Sequence, residues 1–496
     1  MRMLGFLFFF CFIFCLAFPL SGNTNGSAII AKVKLYQNQE SSRVEIRLTE
    51  PIDKIPDLMA SLQTVSFDLN AVLPEKKRIR LRENKLTNEE YIINSKDFIN
   101  RVQLSANDNG TTFEIKRQYY TPVNFLKQEN PPALIVEFPR NYFEKESVQL
   151  KPGIIKHLIR TVNNRGPVVL HALEIDLSNE NISFKVGMPD VRAGLKPAPY
   201  KLKAKETLTE IVREQMAFAG INANYFDVKL GNPIGTLITD GTWITGPVYD
   251  RVAIGFSDEN MVFIDQVMLL GDATSYRGFR RKPRAMIEID GLNTALNLYS
   301  KTGLFTSNWD EKIDLPKGKT ALIVRNDLVK EKIDGSVEIP EDGYVIVGSE
   351  DCFDSVKKKD HMKIEWKSSP DWSEVKEAVS GGPYLIMDGE IYVDQDKQRF
   401  KFAVRETFAP RSAVGLDKNG KLLLIAVDGR KPNLSVGLNL KELAELLKKL
   451  DLKEAINLDG GGSTTLVADG SIINTLSERH ERKISNALLI FYHLLL

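Results

Sequence analysis

Residues 455–465 constrain the fold of this chain more than any other segment. An apolar run ends at Asp459, and Gly460, Gly461 and Gly462 separate it from Ser463 and two threonines. Each ordered glycine costs about 0.5–1 kcal/mol relative to alanine, so three in succession need a compensation. The usual one is a close approach of the backbone to a ligand, and consecutive amides also form a concave anion site. A tight hairpin turn is the alternative interpretation.

Further charged residues stand at the ends of predicted strands. Asp428 ends an apolar run at 422–427 and is followed by Gly429 and Arg430, while Arg411 begins another apolar strand. Strand ends hold polar side chains in fixed positions, which active sites need. Two other interpretations stay open: Arg411 forms a buried ion pair with an aspartate, or Asp428 and Asp459 bind a divalent cation through oxygen ligands. We expect no cofactor, and the cation is the less favoured interpretation.

Several segments together resemble the phosphodiester glycosidase family, whose members cleave a sugar from a phosphodiester. The resemblance extends from about Val168 to Phe491 and is strongest in the last hundred residues. Its motifs correspond to the segments 221–226, 289–293, 381–389, 410–415, 428–430, 458–463 and 481–488. Two departures stand out: Ala409 occupies a position where many members carry histidine, and Asn224 replaces a glycine.

The resemblance and the chemistry of these side chains assign provisional roles. Asp459 is the leading carboxylate at the anomeric carbon, with Asp428 or Glu481 as its partner. Arginine offers a planar fork of donors that suits a phosphate, which gives Arg411 its place in the catalytic set. The expected substrate-binding residues are Asn222, Asn224, Gly381, Gly382, Arg430, Gly460, Gly461, Gly462, Ser463, Arg482 and Asn486.

Hydrophobic periodicity predicts an α+β protein in which a small all-β domain precedes a catalytic domain with a mixed α/β sheet. Alternating apolar residues predict strands throughout 28–142, in a pattern similar to the AMIN domain of exported envelope proteins. Residues 143–165 are predicted as a linker and 166–494 as the glycosidase domain. Amphipathic helices are expected at 208–218, ended by Gly220, and at 440–450.

The first 22 residues are predicted to be an export signal. Arg2 precedes an uncharged apolar run from Leu4 to Ala17, and small residues follow at 21–22. An uncleaved membrane anchor is the competing interpretation, although the run is shorter than the roughly 20 residues that a span needs. We therefore expect a secreted or periplasmic protein, associated with the cell envelope and without a membrane span after cleavage.

Charge and cysteine content limit the partners. Lys and Arg total 66 against 65 Asp and Glu, a balance that gives no basis for nucleic-acid binding. Cys352 is the only cysteine beyond the predicted signal, so no intramolecular disulfide is expected in the mature chain; we expect this thiol to be buried. The expected partners are a carbohydrate phosphodiester and, through the first domain, a cell-wall polymer. A non-catalytic wall-binding protein and an ordinary phosphodiesterase are the alternative functions.

Overall fold

A computed structural model of the chain describes residues 12–17, 28–38, 40–73, 90–189, 200–277, 282–295, 301–394, 396–400, 404 and 406–493. Strands account for 52% of the described residues and helices for 6%. The prediction of an α+β protein with a mixed α/β catalytic domain is therefore wrong, because the fold is essentially all-β. The two amphipathic segments do form helices, Leu208–Glu214 and Leu440–Lys449, but each is a short element beside antiparallel sheets.

Two compact units divide the chain. The first comprises Met1–Lys145, Ile159–Val169 and Lys431–Val436, and the second comprises Glu146–Leu158, Leu170–Arg430 and Gly437–Leu496. The predicted linker, 143–165, contains the strands Phe143–Lys151 and Ile154–Asn163. These residues therefore form strands, and their role as a linker between domains stays a prediction.

The first unit contains two sheets around one apolar core. One sheet has the order Phe12–Ala17, Ala28–Gln37, Ser41–Leu48, Ala133–Pro139 and Asn124–Gln128, with Ala71–Val72 paired to Ala28–Gln37. The other has the order Met59–Ala60, Thr64–Leu69, Gly110–Arg117, Ile99–Asn107 and Glu90–Asn94. Alternate residues such as Val44 and Ile46 are fully buried, which confirms the strands predicted from period-two alternation. Phe12–Ala17 lies inside the predicted export signal, which stays a prediction.

One sheet of the second unit supplies most of the candidate site. Its strands follow the order Phe143–Lys151, Ile154–Asn163, Gly166–Ile175, Leu422–Val427, Arg411–Asp417, Leu452–Asn457, Tyr384–Met387 and Glu390–Ile391. The helix Leu440–Lys449 packs on three of these strands and buries Leu443 and Leu447. Asn439 begins that helix with a capping box, in which its side chain accepts from the Glu442 amide at 2.8 Å.

A second sheet of this unit also carries a predicted site residue, Asn222, at the end of one of its strands. Its order is Ile182–Gly187, Ala487–Tyr492, Ala219–Asn222, Leu466–Ala468 and Ser471–Ile472. The helix Leu208–Glu214 packs against it. Gly220 was predicted to end that helix, but the helix ends at Glu214 and Gly220 lies inside a strand. An added Cβ there would meet Leu489 Cδ2 at 2.7 Å, so helix and strand packing explain this glycine.

Three further sheets complete the second unit. The first is ordered Thr242–Thr245, Leu237–Thr239, Glu377–Ser380, Ala253–Phe256 and Val262–Asp265. The second is ordered Lys282–Ile289, Met268–Arg277, His361–Ser369, Leu328–Asp334, Thr320–Arg325, Gly343–Gly348, Gly303–Thr306 and Gly291–Leu292. Lys312–Asp314 pairs with Ser336–Glu338, and short 3-10 turns occupy Glu350–Phe353 and Gly461–Ser463.

The exposure of Cys352 differs from the prediction. Cys352 is exposed and free, so the expectation of a buried thiol is wrong. It lies in the 3-10 turn Glu350–Phe353, where Phe353 fills the core instead. Within the described residues, no helix is both long and apolar enough to cross a membrane.

Candidate active site

The antiparallel register brings three strand ends together. Arg411–Asp417 lies between Leu422–Val427 and Leu452–Asn457, and both neighbours run opposite to it. Its first residue, Arg411, is therefore opposite Val427, while Ala413 is opposite Asn457. The Leu458 amide continues this pairing by donating to the Ser412 carbonyl at 2.8 Å. Polar residues that follow the two neighbouring strands consequently lie beside the start of the central one.

The glycine loop leaves the central region of this sheet as a tight turn. Gly461 has a φ of 66°, a left-handed conformation that favours glycine. Its amide donates to the Pro410 carbonyl at 2.8 Å, and the Ser463 amide donates to Gly460 at 3.4 Å. These two amides of the predicted anion site are thus already bound to the backbone, so side chains must supply a large part of any anion binding.

Arginine side chains converge on the three glycines. An added Cβ would lie 3.7 Å from Arg411 Cδ at Gly460 and 3.2 Å from Arg430 Nη2 at Gly461. At Gly462 an added Cβ would overlap both the Arg482 guanidinium and the Glu478 carboxylate. The absence of side chains at Gly461 and Gly462 therefore makes room for two guanidinium groups, those of Arg430 and Arg482, while the Arg411 side chain lies in ordinary contact beside Gly460. We call Arg411, Arg430 and Arg482 the arginine cluster.

Asp459 lies directly before this loop in a partly buried position. Burial raises the pKa of its carboxyl to about 6, while the Ser463 side chain, the Arg482 charge and the Gly460 amide act in the opposite direction. Its backbone is fixed on both sides, because its amide donates to Ala223 at 3.0 Å and its carbonyl accepts from Asn222 Nδ2 at 2.5 Å. Such a carboxyl changes protonation near neutral pH, as acid–base groups of enzymes do.

Arg411 is buried without a carboxylate beside it. Its Nε donates to the Leu438 carbonyl at 2.9 Å and its Nη2 donates to the Thr407 carbonyl at 2.6 Å. Burial and the nearby Arg430 lower its pKa. In the part of the chain that the structure describes, Arg411 forms no ion pair, so its described contacts do not match the ion-pair interpretation. A buried guanidinium held by neutral carbonyls retains its positive charge for an incoming anion.

The two predicted carboxylate partners of Asp459 have structural contacts elsewhere. Asp428 is fully buried, accepts from the Thr475 amide at 2.8 Å and lies 3.3 Å from His171 Nε2. Glu481 accepts from the Thr209 amide at 2.9 Å, in the first turn of the helix Leu208–Glu214. This contact satisfies one of the free amides of a helix N-terminus.

Glu478 is a carboxylate that sequence reasoning missed. It is exposed, pairs with Arg482 and meets the space beside Gly462. No strand end, motif or periodic pattern marks this position in the sequence. Among the described residues, no three His, Cys, Asp or Glu side chains come together to hold a metal ion.

The predicted asparagines bind the protein itself. Asn222 Oδ1 accepts from Ser412 Oγ at 2.7 Å and from the Thr465 amide at 3.1 Å. Asn224 Oδ1 accepts from the Ser380 amide at 3.0 Å, and its Nδ2 donates to the Thr236 carbonyl at 3.1 Å. Both side chains are buried, and their described hydrogen bonds hold neighbouring segments of the site together.

Gly381 and Gly382 also contact the protein itself, at the backbone of Asn457. A Cβ at Gly381 would overlap the Asn457 carbonyl, and the Gly382 amide donates to that carbonyl at 2.6 Å. The two glycines therefore allow the 381–382 backbone to lie directly against the strand end that precedes Asp459.

Tyr225 and Asn457 form a second missed feature beside Asp459. Asn457 Nδ2 donates to the Tyr225 hydroxyl at 2.7 Å, and that hydroxyl donates to the Gly382 carbonyl at 3.2 Å. Burial and the Asp459 charge raise the pKa of Tyr225, so the phenol stays protonated. Arg251 lies over the Tyr225 ring, 5.5 Å from its centroid. Asn457 immediately precedes the motif at 458–463, which is the signal that could have identified it.

Buried polar atoms without partners cluster in the segments of the site. Among the described residues, six atoms in these segments have no hydrogen-bond partner: Asn457 Oδ1, Ser463 Oγ, Thr464 Oγ1, Thr465 Oγ1, Ser485 Oγ and Asn486 Nδ2. Native proteins leave few buried polar atoms unsatisfied, so a local concentration indicates a place that water or a polar ligand completes. Asn486 also accepts from the Asn224 amide at 2.9 Å, which links it to the site.

Comparison with known proteins agrees with the predicted resemblance over part of the chain. Residues 319–491 match the family model described as phosphodiester glycosidase, which confirms the resemblance there. The match includes the arginine cluster and the glycine loop but not the segments 221–226 and 289–293. The N-acetylglucosamine-1-phosphodiester alpha-N-acetylglucosaminidase of Bos taurus is 38% identical over 109 residues. That alignment covers 20% of this chain and 20% of the bovine protein, so the chain spans about a fifth of the relative's length.

Solved structures share the fold at low sequence identity. A hypothetical protein from Synechocystis aligns with a TM-score of 0.63 and 20% identity, covering 96% of this chain and 83% of that chain. A putative exported protein from Burkholderia pseudomallei aligns with a TM-score of 0.50 and 17% identity, covering 66% of this chain and 74% of that chain. These two similarities concern the architecture alone.

Proposed function

We propose, from the match of residues 319–491 to the phosphodiester glycosidase family, that the chain hydrolyses the bond between a sugar's anomeric carbon and a phosphodiester oxygen. The observation that carries the proposal is the position of Asp459 beside the arginine cluster. A carboxyl with a pKa of about 6 and a group of cations meet at one loop. Those are the two chemical demands of this reaction.

The phosphate side of the reaction is assigned to the arginine cluster. Cleavage of the C–O bond leaves the electron pair on an oxygen of a phosphate monoester, and negative charge grows there in the transition state. Preorganised cations stabilise developing charge more effectively than water does, because they need no reorganisation. Arg411 suits this role, since its neutral partners leave its charge uncompensated.

The sugar side is assigned to Asp459. Water supplies the oxygen that bonds to the anomeric carbon, and its proton passes to a carboxylate or to solvent. Near neutral pH, Asp459 is largely ionised and acts as base toward that water or as nucleophile at the carbon. Glu478 is the second carboxylate at the loop and replaces Asp428 and Glu481 as the proposed partner.

Isotopic labelling tests the bond that breaks. The purified chain would be incubated with an N-acetylglucosamine-1-phosphodiester in ¹⁸O-labelled water, and both products analysed by mass spectrometry. The proposal predicts that the label enters the sugar. Label in the phosphate would identify an ordinary phosphodiesterase, and binding without hydrolysis would identify a non-catalytic protein.

Export to the cell envelope is a further part of the proposal. It is supported by Arg2 followed by the apolar run from Leu4 to Ala17. N-terminal sequencing of the protein from fractionated cells would find a start shortly after residue 22 in a secreted or periplasmic fraction. Intact Met1 in the membrane fraction would favour an anchor.

Wall-polymer binding by the first unit is the remaining part. It is supported by the compact β core of this unit and by the pattern similar to the AMIN domain. The full chain would co-sediment with purified cell-wall polymer, and the substitution Asp459→Asn would leave co-sedimentation unchanged. Loss of co-sedimentation in that variant would assign polymer binding to the catalytic site instead.

A further inference from the structure

A cleft with a volume of about 440 cubic ångström in the second unit is lined by indole rings. Trp243, Trp366 and Trp372 surround it, although the chain contains only four tryptophans. The fourth, Trp309, packs against Phe305 with ring centroids 5.4 Å apart. The cleft shares none of its lining with the arginine cluster or the glycine loop.

The rings are held in fixed orientations. Trp372 is 2% exposed and donates from its indole nitrogen to Asp265 Oδ2 at 3.1 Å, so it forms the floor of the cleft. Trp243 lies 6.4 Å from Trp372 between ring centroids, at an interplanar angle of 32°. A binding surface that is already ordered loses little conformational entropy when a ligand arrives.

Trp366 lies flat against the backbone of its neighbouring strand. It is directly opposite Gly271, where an added Cβ would meet Trp366 Cζ3 at 2.6 Å. The glycine therefore allows the indole to rest on the sheet, and the side chain remains only partly buried. The packing of one indole on a glycine is enough to stabilise a sheet. This packing does not explain why two more indoles line the same cleft.

The rim of the cleft carries small polar and oppositely charged groups. Ser368 and Ser373 provide hydroxyls, while Lys367 and Asp371 provide one charge of each sign. Ser373, Lys367 and Asp371 are exposed. A rim without net charge does not select an ion, whereas its donors and acceptors match a neutral ligand rich in hydroxyls.

We propose that the cleft formed by Trp243, Trp366 and Trp372 binds the pyranose rings of a neutral oligosaccharide. The electron-rich faces of indoles attract the C–H groups on the apolar face of a sugar ring. The rim groups hydrogen-bond the equatorial hydroxyls, which is the usual division between apolar walls and a few polar groups in ligand sites. This binding site is separate from the hydrolytic site proposed above and stands if hydrolysis fails.

Tryptophan fluorescence of the full chain tests the proposal. Chitotetraose and cellotetraose, which contain no phosphodiester for the proposed hydrolysis to cleave, would be titrated into the parent protein. At least one probe should give a saturable change, and Trp309→Phe, which alters the tryptophan outside the cleft, should retain the same affinity. Trp366→Ala should weaken binding by tenfold or more.

A second variant guards against misfolding. Ser373→Tyr fills the cleft from an exposed position without removing any core side chain, and it should also weaken binding by tenfold or more while the thermal midpoint stays within a few degrees. The proposal is overturned if neither probe binds to the parent protein, or if both Ser373→Tyr and a folded Trp366→Ala bind as tightly as the parent. A cleft that takes only an apolar dye would likewise overturn it.

Discussion

Arg482 lies against Gly462, and from there its positive charge acts on the carboxylate of Asp459. Burial raises the pKa of that carboxyl, while Arg482 opposes the rise. One loop thus combines a carboxyl that changes protonation near pH 6 with a cation that keeps it ionised at higher pH. This relationship is the basis for the predictions on catalysis.

Removing the Arg482 charge should shift the pH dependence of hydrolysis. Arg482→Gln leaves burial to act with less opposition, so the pKa of Asp459 should rise further above its ordinary value. If ionised Asp459 is required, the acidic limb of kcat/KM moves to higher pH. A pH–rate profile measures this, with Arg213→Gln, a change at an exposed helix residue, as the control. A limb that stays in place would separate Arg482 from Asp459.

The space beside the third glycine should be needed for activity. In Gly462→Ala the new methyl group occupies positions of Arg482 and Glu478, whose flexible ends must move away. Because the backbone there is not left-handed, the fold should persist. We expect at least a tenfold loss of kcat/KM with a small change in thermal midpoint. Unchanged kinetics would mean that neither displaced group takes part.

Replacing Arg411 by lysine should weaken phosphate binding although the positive charge is kept. Arg411→Lys keeps the charge but loses the fork whose Nε and Nη2 reach Leu438 and Thr407. Weaker phosphate binding should appear as a roughly tenfold increase in KM, about 1.4 kcal/mol. Steady-state kinetics measure it, with Arg213→Lys as a matched surface control. A KM equal to that of the parent would remove Arg411 from the phosphate site.

Stability should decline as pH rises, because of one buried carboxyl away from the site. Burial raises the pKa of Glu377 to about 7, although its oxygens accept from the amides of Val186 and Asp240. The folded state therefore binds more protons than the unfolded state between about pH 4.5 and pH 7. Over that window this group's contribution to the free energy of unfolding falls with increasing pH.

Urea denaturation at pH 5 and pH 8 measures the effect of Glu377. Glu377→Gln places a side-chain NH2 group against a backbone N–H donor, which lowers stability at pH 5. The variant also lacks the carboxyl group whose titration causes the pH dependence. The variant should show a shallower dependence on pH than the parent. An equally steep dependence in both proteins would assign the effect to other groups.

The sequence predicted local elements better than their assembly. The alternation at Val44 and Ile46 and the helical spacing near Leu443 depend on nearest neighbours, and both elements are present. The α+β fold class is wrong because only two short helices accompany the sheets of the described residues, and the pairing of strands far apart in the sequence is not visible in local patterns. A glycine after a helical pattern predicts the end of the helix, whereas Gly220 lies in a strand where the Leu489 side chain leaves no room for a Cβ.

The site was predictable where motif and strand end coincide. Asp459 and Arg411 lie together because antiparallel pairing joins the start of one strand to the end of another. Glu478 was missed because a loop residue carries no periodic signal and meets Gly462 only through the fold. The structural contacts of Asn222 and Glu481 were hidden for the same reason, since their partners are far away in the sequence.

Turnover of Asp459→Asn on a sugar-1-phosphodiester tests the central claim most directly. Asparagine preserves the shape and leaves the backbone contacts to Asn222 and Ala223 intact, but it removes the charge. We predict a fall in kcat of roughly 10³-fold or more, about 4 kcal/mol, with an unchanged fold by circular dichroism. A folded Asp459→Asn protein that retains most of the parent's kcat would contradict the assignment of Asp459 to the anomeric carbon.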